Sequence, residues 1–488
     1  MKIHYPKKLS TMFKINQYKS LGLILIAVGY SACKLPQLEQ RNAQKNVPFS
    51  FTASKDSANV ANIKWRQFFN DEDLANLIDT ALKNNQDLNI TLKDIEIAKN
   101  DIKAKKGDLL PTVGYHAGAG FDKVGLYTSQ GAGDASTDIT PGSSVPEILP
   151  DYQVGLTANW EVDVWHKLRN AKKSAYYHYL SSIEGKNFVV TNLVAEVANS
   201  YYELLALDNQ FTIIKKNIVL QNDALNLMKI QKQASRVTEL AVRKFQAEVY
   251  NSESLKYNIQ QSISEQENKI NFLLGRYPQP IKRNGDRFMD LVPTVIKAGL
   301  PAQLLANRPD IKQAELDLAS AKLDVSIAKA QFYPSLNISA TLGYQAFNPS
   351  YLIRTPESLL YSLAGDLAGP LINKNAIKAS YLTANAKQIQ AVYNYEKTIL
   401  NGYMETANQL SNIDNLEKSY ILKQKQVLAL TQSVDISNDL FRSARADYFE
   451  VLMTQRDALE AKLDLIDTKK QQLNAVVNIY SALGGGWN

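Results

Sequence analysis

Residues 82–113 read LKNNQDLNITLKDIEIAKNDIKAKKGDLLPTV, and residues 305–336 read LANRPDIKQAELDLASAKLDVSIAKAQFYPSL. The two stretches align without a gap at a spacing of 223 residues, so that Pro111 corresponds to Pro334. An internal duplication of this kind indicates two equivalent structural units in one chain. The fold is therefore expected to be one half repeated, with no separate catalytic domain.

The duplication continues beyond these stretches at a spacing of 209 residues. Arg236 corresponds to Arg445, and Leu274-Gly275 corresponds to Leu483-Gly484. A proline-containing stretch separates the two halves. These matches predict repeat 1 over residues 76–276, a linker over residues 277–299 and repeat 2 over residues 300–485.

The N-terminal residues have the composition of a secretory signal. Residues 1–32 contain five lysines and no acidic residue, and an apolar run at 21–28 leads to Ser-Ala-Cys33. A charged region, a short apolar region and small residues before the cleavage site define such a signal. The end of the run resembles a bacterial lipobox, with Tyr30 as a departure from the usual aliphatic residue. We predict a lipoprotein signal peptide over 1–32, acylation of Cys33, and a lipid-anchored tether and equatorial segment over 33–75.

The charge of the chain after residue 32 is nearly balanced, with 50 basic and 48 acidic residues. A nucleic-acid-binding protein needs a concentrated basic surface, so nucleic acid is not expected as a partner. Cys33 is the only cysteine of the sequence, which excludes an internal disulfide and a thiolate metal cluster.

Two alternatives to the predicted lipoprotein signal remain at the N-terminus. The first is a plain signal peptide with an incidental cysteine, and the second is a start of the protein at Met12.

Four segments alternate apolar with polar residues, which is the period of a strand with one apolar face. In the segment 335–346, even-numbered positions are apolar and odd-numbered positions are polar or glycine. Similar alternation at 112–122, 152–163 and 359–367 predicts two β-hairpins in all. Their expected bounds are 111–164 in the first half and 334–370 in the second.

Long helices are predicted after each hairpin. Residues 165–234 and 374–443 contain no proline, and helices of this length would each extend about 105 Å. Heptad spacing in the first stretch is typical of antiparallel coiled-coil packing. Breaks near 235–239 and 444–448 then turn the chain back into shorter helices. The heptad positions are Leu204, Phe211, Ile218 and Leu225, and also Leu207, Ile214, Gln221 and Met228.

The amphipathic strands point to a transmembrane β structure. Strands of about 9–11 residues that alternate between an apolar and a polar face are the unit of a membrane β-barrel. Four strands cannot close a barrel, and open edges in hydrocarbon leave backbone groups unpaired. Several copies must then associate, giving eight strands from two copies or twelve from three. The alternative is a half-buried sheet on a soluble core.

The duplicated helix–hairpin–long helix halves, the lipobox and the turn segments beginning at Arg236 and Arg445 resemble the TolC family of outer membrane efflux proteins. Within that family the chain is similar to the lipoprotein branch of NodT type, which serves RND multidrug efflux pumps. The resemblance implies a mainly α fold with a transmembrane β part. It also implies a homotrimer in the outer membrane of a Gram-negative bacterium, with a 12-stranded β-barrel continuous with a 12-helix periplasmic α-barrel.

The same resemblance assigns roles at the two helical turns. It implies that the tips dock a periplasmic adaptor protein, that Glu450 and Asp447 line a periplasmic aperture, and that an inner-membrane RND pump drives transport. Ser235 and Ala444 stand where many members have glycine. A ring of carboxylates around a narrow pore favours cations and repels itself. The expected docking residues are Ser235, Arg236, Thr238, Ala444 and Arg445.

No catalytic motif is present in the sequence. The four histidines lack metal-ligand spacing, and no Walker loop or dinucleotide fingerprint occurs. We expect no enzyme activity, no cofactor and a passive exit duct for drugs or other small solutes. The competing hypotheses are a duct for an ABC-type exporter or type I secretion system, a non-transporting periplasmic coiled-coil scaffold, and an adhesin-like surface protein.

Changing Cys33 to Ala is expected to abolish acylation, because the thiol that receives the lipid is removed. Metabolic labelling with a clickable palmitate, followed by gel fluorescence of the purified protein, measures this directly. Ser31→Ala is the matched control and should remain labelled. Continued labelling of Cys33→Ala would contradict the lipobox prediction.

Overall fold

The computed structural model describes residues 35–51, 60–291, 298–370 and 372–487. The predicted signal peptide and Cys33 lie outside the described residues. The chain forms two compact units. Unit 1 contains Ala98–Tyr179 and Asp317–Val392 with the described residues up to Asn42, and unit 2 contains Ala43–Ile97, Leu180–Leu316 and the described residues from Tyr393 onward.

Seven main helices and four main strands carry the fold. The helices are α1 (Glu72–Asn84), α2 (Gln86–Gly107), α3 (Lys167–Gln233), α4 (Glu239–Leu273), α5 (Pro309–Ala330), α6 (Asn375–Arg442) and α7 (Tyr448–Ala482). The strands are β1 (Thr112–Asp122), β2 (Leu149–Val162), β3 (Ser335–Ala346) and β4 (Leu359–Ala368). Shorter helical pieces cover Val60–Asn62, Trp65–Phe68, Ser129–Asp134, Gly285–Asp290, Pro301–Gln303, Leu304–Asn307 and Pro349–Tyr351.

The two halves have matching elements, as the duplication predicts. The short helices α2 and α5 each have 22 residues, the long helices α3 and α6 have 67 and 68, and the return helices α4 and α7 each have 35. Helix bounds therefore follow the sequence prediction closely. Within the described residues, no helix combines the length and the apolar character needed to cross a bilayer.

The strands of unit 1 form one antiparallel sheet in the order β1-β2-β3-β4. The predicted hairpins are present, and the structure additionally pairs the first hairpin with the second through β2 and β3. The register keeps the two faces distinct, because apolar Leu156 lies opposite Leu342 while polar Thr157 lies opposite Thr341. Each face therefore runs across all four strands, with Leu149 and Leu360 as apolar residues at polar-face positions near the strand ends.

The apolar face of this sheet is exposed. Tyr115 on β1 is 89% exposed, and Tyr361 and Leu363 on β4 are 76% and 79% exposed. Each outer strand also has one edge that pairs with no other strand of the described chain. A monomer in water would pay for both features, since exposed apolar area and unpaired strand edges promote association.

The Gly/Ser/Thr-rich loop between β1 and β2 contains regular secondary structure. It contains the short helix Ser129–Asp134 and a two-stranded ribbon of Asp138–Thr140 with Ser143–Ser144. Thr128 caps the helix by accepting a hydrogen bond from the Gly131 amide at 3.1 Å. The Gly/Ser/Thr-rich composition concealed this structure, because these residues favour caps and turns as well as open loops.

The described part of the predicted tether packs against helices. In unit 1, Leu35 and Leu38 contact the buried cluster of Ala328, Phe332 and Tyr381. In unit 2, the ring of Phe51 is buried and stacks on Tyr403 with ring centroids 5.4 Å apart. These contacts fix the N-terminal segment along its described length.

In unit 2, each return helix ends against the start of the short helix of its own half. The Asn85 side-chain amide donates to the Leu273 carbonyl at 3.0 Å, just before α2 begins. Arg308, at the equivalent place before α5, donates to the Ala482 carbonyl at 2.9 Å. The return helix of each half thus continues into the short helix through a side-chain bond that satisfies a carbonyl at the helix end.

The second joint contains a buried charge network. The Arg308 side chain is 6% exposed and pairs with Asp310 at 2.7 Å and with Glu405 at 2.8 Å. Burial alone would lower the pKa of Arg308, but the hydrogen bond and charge of Asp310 and the charge of Glu405 raise it. The guanidinium also packs over Gly402, whose missing side chain leaves room for it.

A glycine makes each joint possible. Gly275 has φ +65°, and a Cβ there would lie 2.4 Å from the Asn84 carbonyl oxygen. Gly484 has φ +91°, and a Cβ there would lie 2.6 Å from the Asn307 carbonyl oxygen. Both positions combine a left-handed backbone with a close approach that only glycine tolerates.

We expect Gly275→Ala and Gly484→Ala each to lower the free energy of unfolding by about 2 kcal/mol, because backbone strain and a steric clash add. Urea unfolding of the detergent-solubilised protein, followed by circular dichroism, measures the change. Gly107→Ala is the matched control, since nothing lies within 4 Å of a Cβ at that position. Equal midpoints for all three variants would contradict the proposed role of the joints.

Candidate channel lining and helical tips

The polar face of the sheet is acidic. It presents four carboxylates from three strands, whereas the four strands contain no lysine or arginine. Asp151 accepts hydrogen bonds from Gln153 at 3.0 Å and from Gln345 at 2.9 Å, which fixes its orientation across β2 and β3. Carboxylates concentrated on one hydrated face attract cations. The four residues are Asp122, Asp151, Glu161 and Asp366.

The turn between α3 and α4 forms the first tip, in unit 2. The Arg236 amide donates to the Gln231 carbonyl at 2.9 Å, and the Ser235 amide donates to the Lys232 carbonyl at 2.8 Å. This pair of bonds is a Schellman motif, whose central residue takes a left-handed conformation. Ser235 occupies that position with φ 57°.

The turn between α6 and α7 forms the second tip with the same geometry. The Arg445 amide donates to the Leu440 carbonyl at 2.8 Å, and the Ala444 amide donates to the Phe441 carbonyl at 3.0 Å. Ala444 has φ 57°, matching Ser235. Both tips therefore retain a conformation suited to glycine although neither residue is glycine.

An ion network closes the first tip. Glu239, on the first turn of α4, pairs with Lys232 at the end of α3 and accepts from Arg243 at 2.7 Å. The hydrogen bond from Lys232 lowers the pKa of Glu239. Thr238 caps α4 by accepting from the Ala241 amide at 3.4 Å. Lys232 and Arg243 therefore join the two helices of this tip through Glu239, while Arg236 stays exposed.

The predicted aperture residues lie at the start of α7. Asp447 is the N-cap residue, and its carbonyl accepts from the Glu450 amide at 3.1 Å. The side chains of both Asp447 and Glu450 are exposed on the same turn of the tip. Arg236, Thr238 and Arg445 are exposed as well, so every predicted docking or aperture side chain is accessible in this chain.

A shared apolar cluster holds the two tips together. Leu225, Met228, Val242 and Phe245 come from the first tip, and Leu452 comes from the second. Phe441 and Tyr448 pack against the same cluster. Because residues of both halves meet here, a displacement of one tip is expected to move the other.

A groove of about 450 Å³ runs beside this cluster between α3, α4, α6 and α7. Its rim carries both charge signs, with Asp223, Asp435, Arg442 and Lys462 among the lining residues. The sequence does not indicate this groove, because its residues are spread over four helices with no common motif. Gln221, in the same stretch of α3, is a buried polar residue in an apolar heptad pattern.

An exposed apolar sheet face backed by a polar one is characteristic of proteins that enter a bilayer as strands. The match to known families then identifies the chain: it belongs to the outer membrane efflux protein family, whose sequence model matches residues 77–276 and 300–485. This finding confirms the family resemblance, the efflux function and the outer-membrane location predicted from the sequence.

Individual relatives cover most of the chain. It is 29% identical over 424 residues to the pyoverdine export outer membrane protein OpmQ of Pseudomonas aeruginosa, covering 87% of each chain. It is 25% identical over 482 residues to the probable outer membrane lipoprotein SilC of Salmonella typhimurium, covering 98% of this chain and 100% of that one. The crystal structure of a membrane protein from Pseudomonas aeruginosa has the same fold, with a TM-score of 0.82 at 24% identity over 93% of this chain and 100% of that one.

Replacing Ser235 and Ala444 by glycine is expected to stabilise each tip by about 1 kcal/mol, because glycine tolerates the left-handed conformation. Hydrogen exchange of the amides in 228–240 and 437–449 measures the gain as slower local opening. Ala429→Gly, on an exposed turn inside α6, is the matched control and should cost about 1 kcal/mol. Faster exchange at the tips in Ser235→Gly and Ala444→Gly would contradict the expectation.

Proposed function

We propose that this chain is the outer-membrane channel subunit of a tripartite efflux system. In this role it is a passive exit duct, without catalysis, for drugs or other small solutes. An inner-membrane RND transporter supplies the energy, and a periplasmic adaptor connects the pump to the channel. Names of relatives that mention export and an outer membrane lipoprotein support this proposal.

The sheet of unit 1 is the observation that carries the proposal. Its apolar face is exposed and its polar face is acidic, so lipid on one side and water on the other satisfy both. Its outer strands β1 and β4 each leave one edge unpaired within the described chain, which is unfavourable in hydrocarbon. Three copies joined edge to edge give a closed 12-stranded barrel with a hydrated lumen, whereas two copies give an eight-stranded barrel that side chains fill.

The helical tips supply the second part of the proposal. Glu450 and Asp447 would form the periplasmic aperture of a homotrimer, where carboxylates from three copies face one another. The exposed residues around Ser235, Arg236, Thr238, Ala444 and Arg445 would contact the adaptor. Acylation of Cys33, together with repeats at 76–276 and 300–485 joined by a linker at 277–299, completes the proposed organisation.

Conductance in planar bilayers tests the channel. The purified full-length protein, reconstituted in lipid, is expected to give discrete conductance steps. In cells, the protein is expected to fractionate with outer membranes. A water-soluble protein without conductance would favour the periplasmic scaffold. Co-purification of the chain with an RND pump rather than with an ABC exporter, after crosslinking in its native host, tests the energy source.

Neutralising Glu450 is expected to lower the ratio of cation to anion permeability by about two- to five-fold, because one charge per copy leaves the aperture. Reversal potentials of Glu450→Gln in a salt gradient measure this ratio. Glu460→Gln, an exposed residue farther along α7, is the matched control. An unchanged reversal potential in Glu450→Gln would remove this residue from the aperture.

A further inference from the structure

Basic residues are concentrated where the helices of unit 1 join the sheet. The ranges 98–111, 163–178, 319–334 and 369–386 together contain twelve lysines and arginines but only four acidic residues. We call these twelve residues the basic belt. They are Lys99, Lys103, Lys105, Lys106, Lys167, Arg169, Lys172, Lys173, Lys322, Lys329, Lys374 and Lys378.

Helix stability does not account for the basic belt. Cations are favoured near a helix C-terminus, which suits the lysines at the ends of α2 and α5. Helix α3 begins at Lys167, and α6 has Lys378 in its first turn; neither has an acidic residue in that turn. At α3 the carboxylate of Asp163 accepts from the amides of Leu168 and Arg169 at 2.9 Å and caps the helix. Cations at a helix N-terminus oppose the helix dipole. Asp163 offsets part of this cost at α3, and an external anionic partner would offset the basic charge that remains.

Intramolecular ion pairs account for only part of the belt. Lys105 pairs with Asp108 at 3.7 Å, Lys167 pairs with Glu161 at 2.5 Å, and Arg169 pairs with Asp163 at 3.7 Å. Lys103, Lys106 and Lys173 are exposed, and no carboxylate of the described residues lies within 4.0 Å of their nitrogens. Much of the positive charge is therefore available to a partner.

The charge differs between the two ends of the sheet. The four strands contain no lysine or arginine. At the end away from the helices, the ranges 122–151 and 345–358 contain six acidic and two basic residues. The basic belt therefore lies at the end of the strands that joins the helices, and the opposite end of the strands is acidic.

Two tryptophans mark the same border. The indole nitrogen of Trp165 donates to the Pro334 carbonyl at 2.7 Å, and the ring stacks on Tyr333 with centroids 4.8 Å apart. The indole nitrogen of Trp160 donates to the Leu109 carbonyl at 3.1 Å. Both rings remain partly exposed, at 46% for Trp165 and 37% for Trp160. Amphipathic rings are enriched where a bilayer meets water.

We propose that the basic belt binds the anionic headgroups of phospholipids at the membrane surface that faces the helices. This inference rests on the proposed function, because it requires the sheet to lie in a bilayer. The apolar sheet face contacts the acyl chains, the tryptophans lie at headgroup depth, and the lysines reach the phosphates. Clusters of lysine and arginine beside a membrane-spanning segment recognise anionic lipids in this way.

Quenching of tryptophan fluorescence by brominated lipid tests the proposal, since Trp160 and Trp165 lie at the belt. The full-length protein is reconstituted in vesicles of phosphatidylcholine with increasing brominated phosphatidylglycerol, and separately with brominated phosphatidylcholine. Phosphatidylglycerol is expected to bind several-fold more strongly, and the preference should fall between low and high salt because screening weakens it. Equal quenching by the two lipids would overturn the proposal.

Charge removal identifies the residues. The triple variant Lys103→Gln, Lys106→Gln and Lys173→Gln is expected to lose most of the preference for phosphatidylglycerol. The matched control Lys83→Gln, Lys229→Gln and Lys425→Gln, which removes three exposed charges from unit 2, should retain it. An undiminished preference in the belt variant overturns the inference. Conductance is recorded on the same vesicles: insertion without lipid preference refutes this inference alone, whereas no quenching by either lipid and no conductance refute the proposed function as well.

Discussion

The apolar face of the four-stranded sheet is the constraint on which the rest of the protein depends. Its large side chains are exposed in the single chain, and the opposite face carries four carboxylates and no cation. Water satisfies only the acidic face, and lipid satisfies only the apolar one. The unpaired edges of β1 and β4 add a second requirement, because a sheet in hydrocarbon must leave no backbone group without a partner. Membrane insertion and association of several copies follow from the same sheet.

The helices of unit 2 show how a duplicated chain builds repeated joints from different residues. Asn85 and Arg308 occupy equivalent places, and each donates to a carbonyl at the end of the return helix of its own half. Arg308 also forms ion pairs with Asp310 and Glu405, whereas its counterpart Asn85 is uncharged. The glycines at positions 275 and 484 are the unchanged part, because the close backbone approach leaves no alternative. The two halves therefore differ in the side chain that makes the hydrogen bond. Both have glycine where the backbones approach each other closely.

The two tips share one backbone geometry, and each places an unfavourable residue in it. Two Schellman motifs place Ser235 and Ala444 in the left-handed region, where each costs free energy relative to glycine. The tips are nonetheless tied together by a common apolar cluster and, at the first tip, by the ion pairs of Glu239. Side-chain packing and ion pairs therefore hold both turns in this geometry despite its cost.

The sequence alone determined the order, type and approximate bounds of the main elements. Periods of two and seven residues are local properties of the sequence, and the internal duplication can be found by comparing one half of the sequence with the other. It also indicated the faces of the strands and the two turns at Ser235 and Ala444. Only the tertiary structure decided that β2 pairs with β3, that Lys232 and Arg243 hold Glu239, and that four helices line a groove at the tips. These features join residues that are distant in the sequence or that face one another only after the turn is formed, and no local pattern encodes such a meeting.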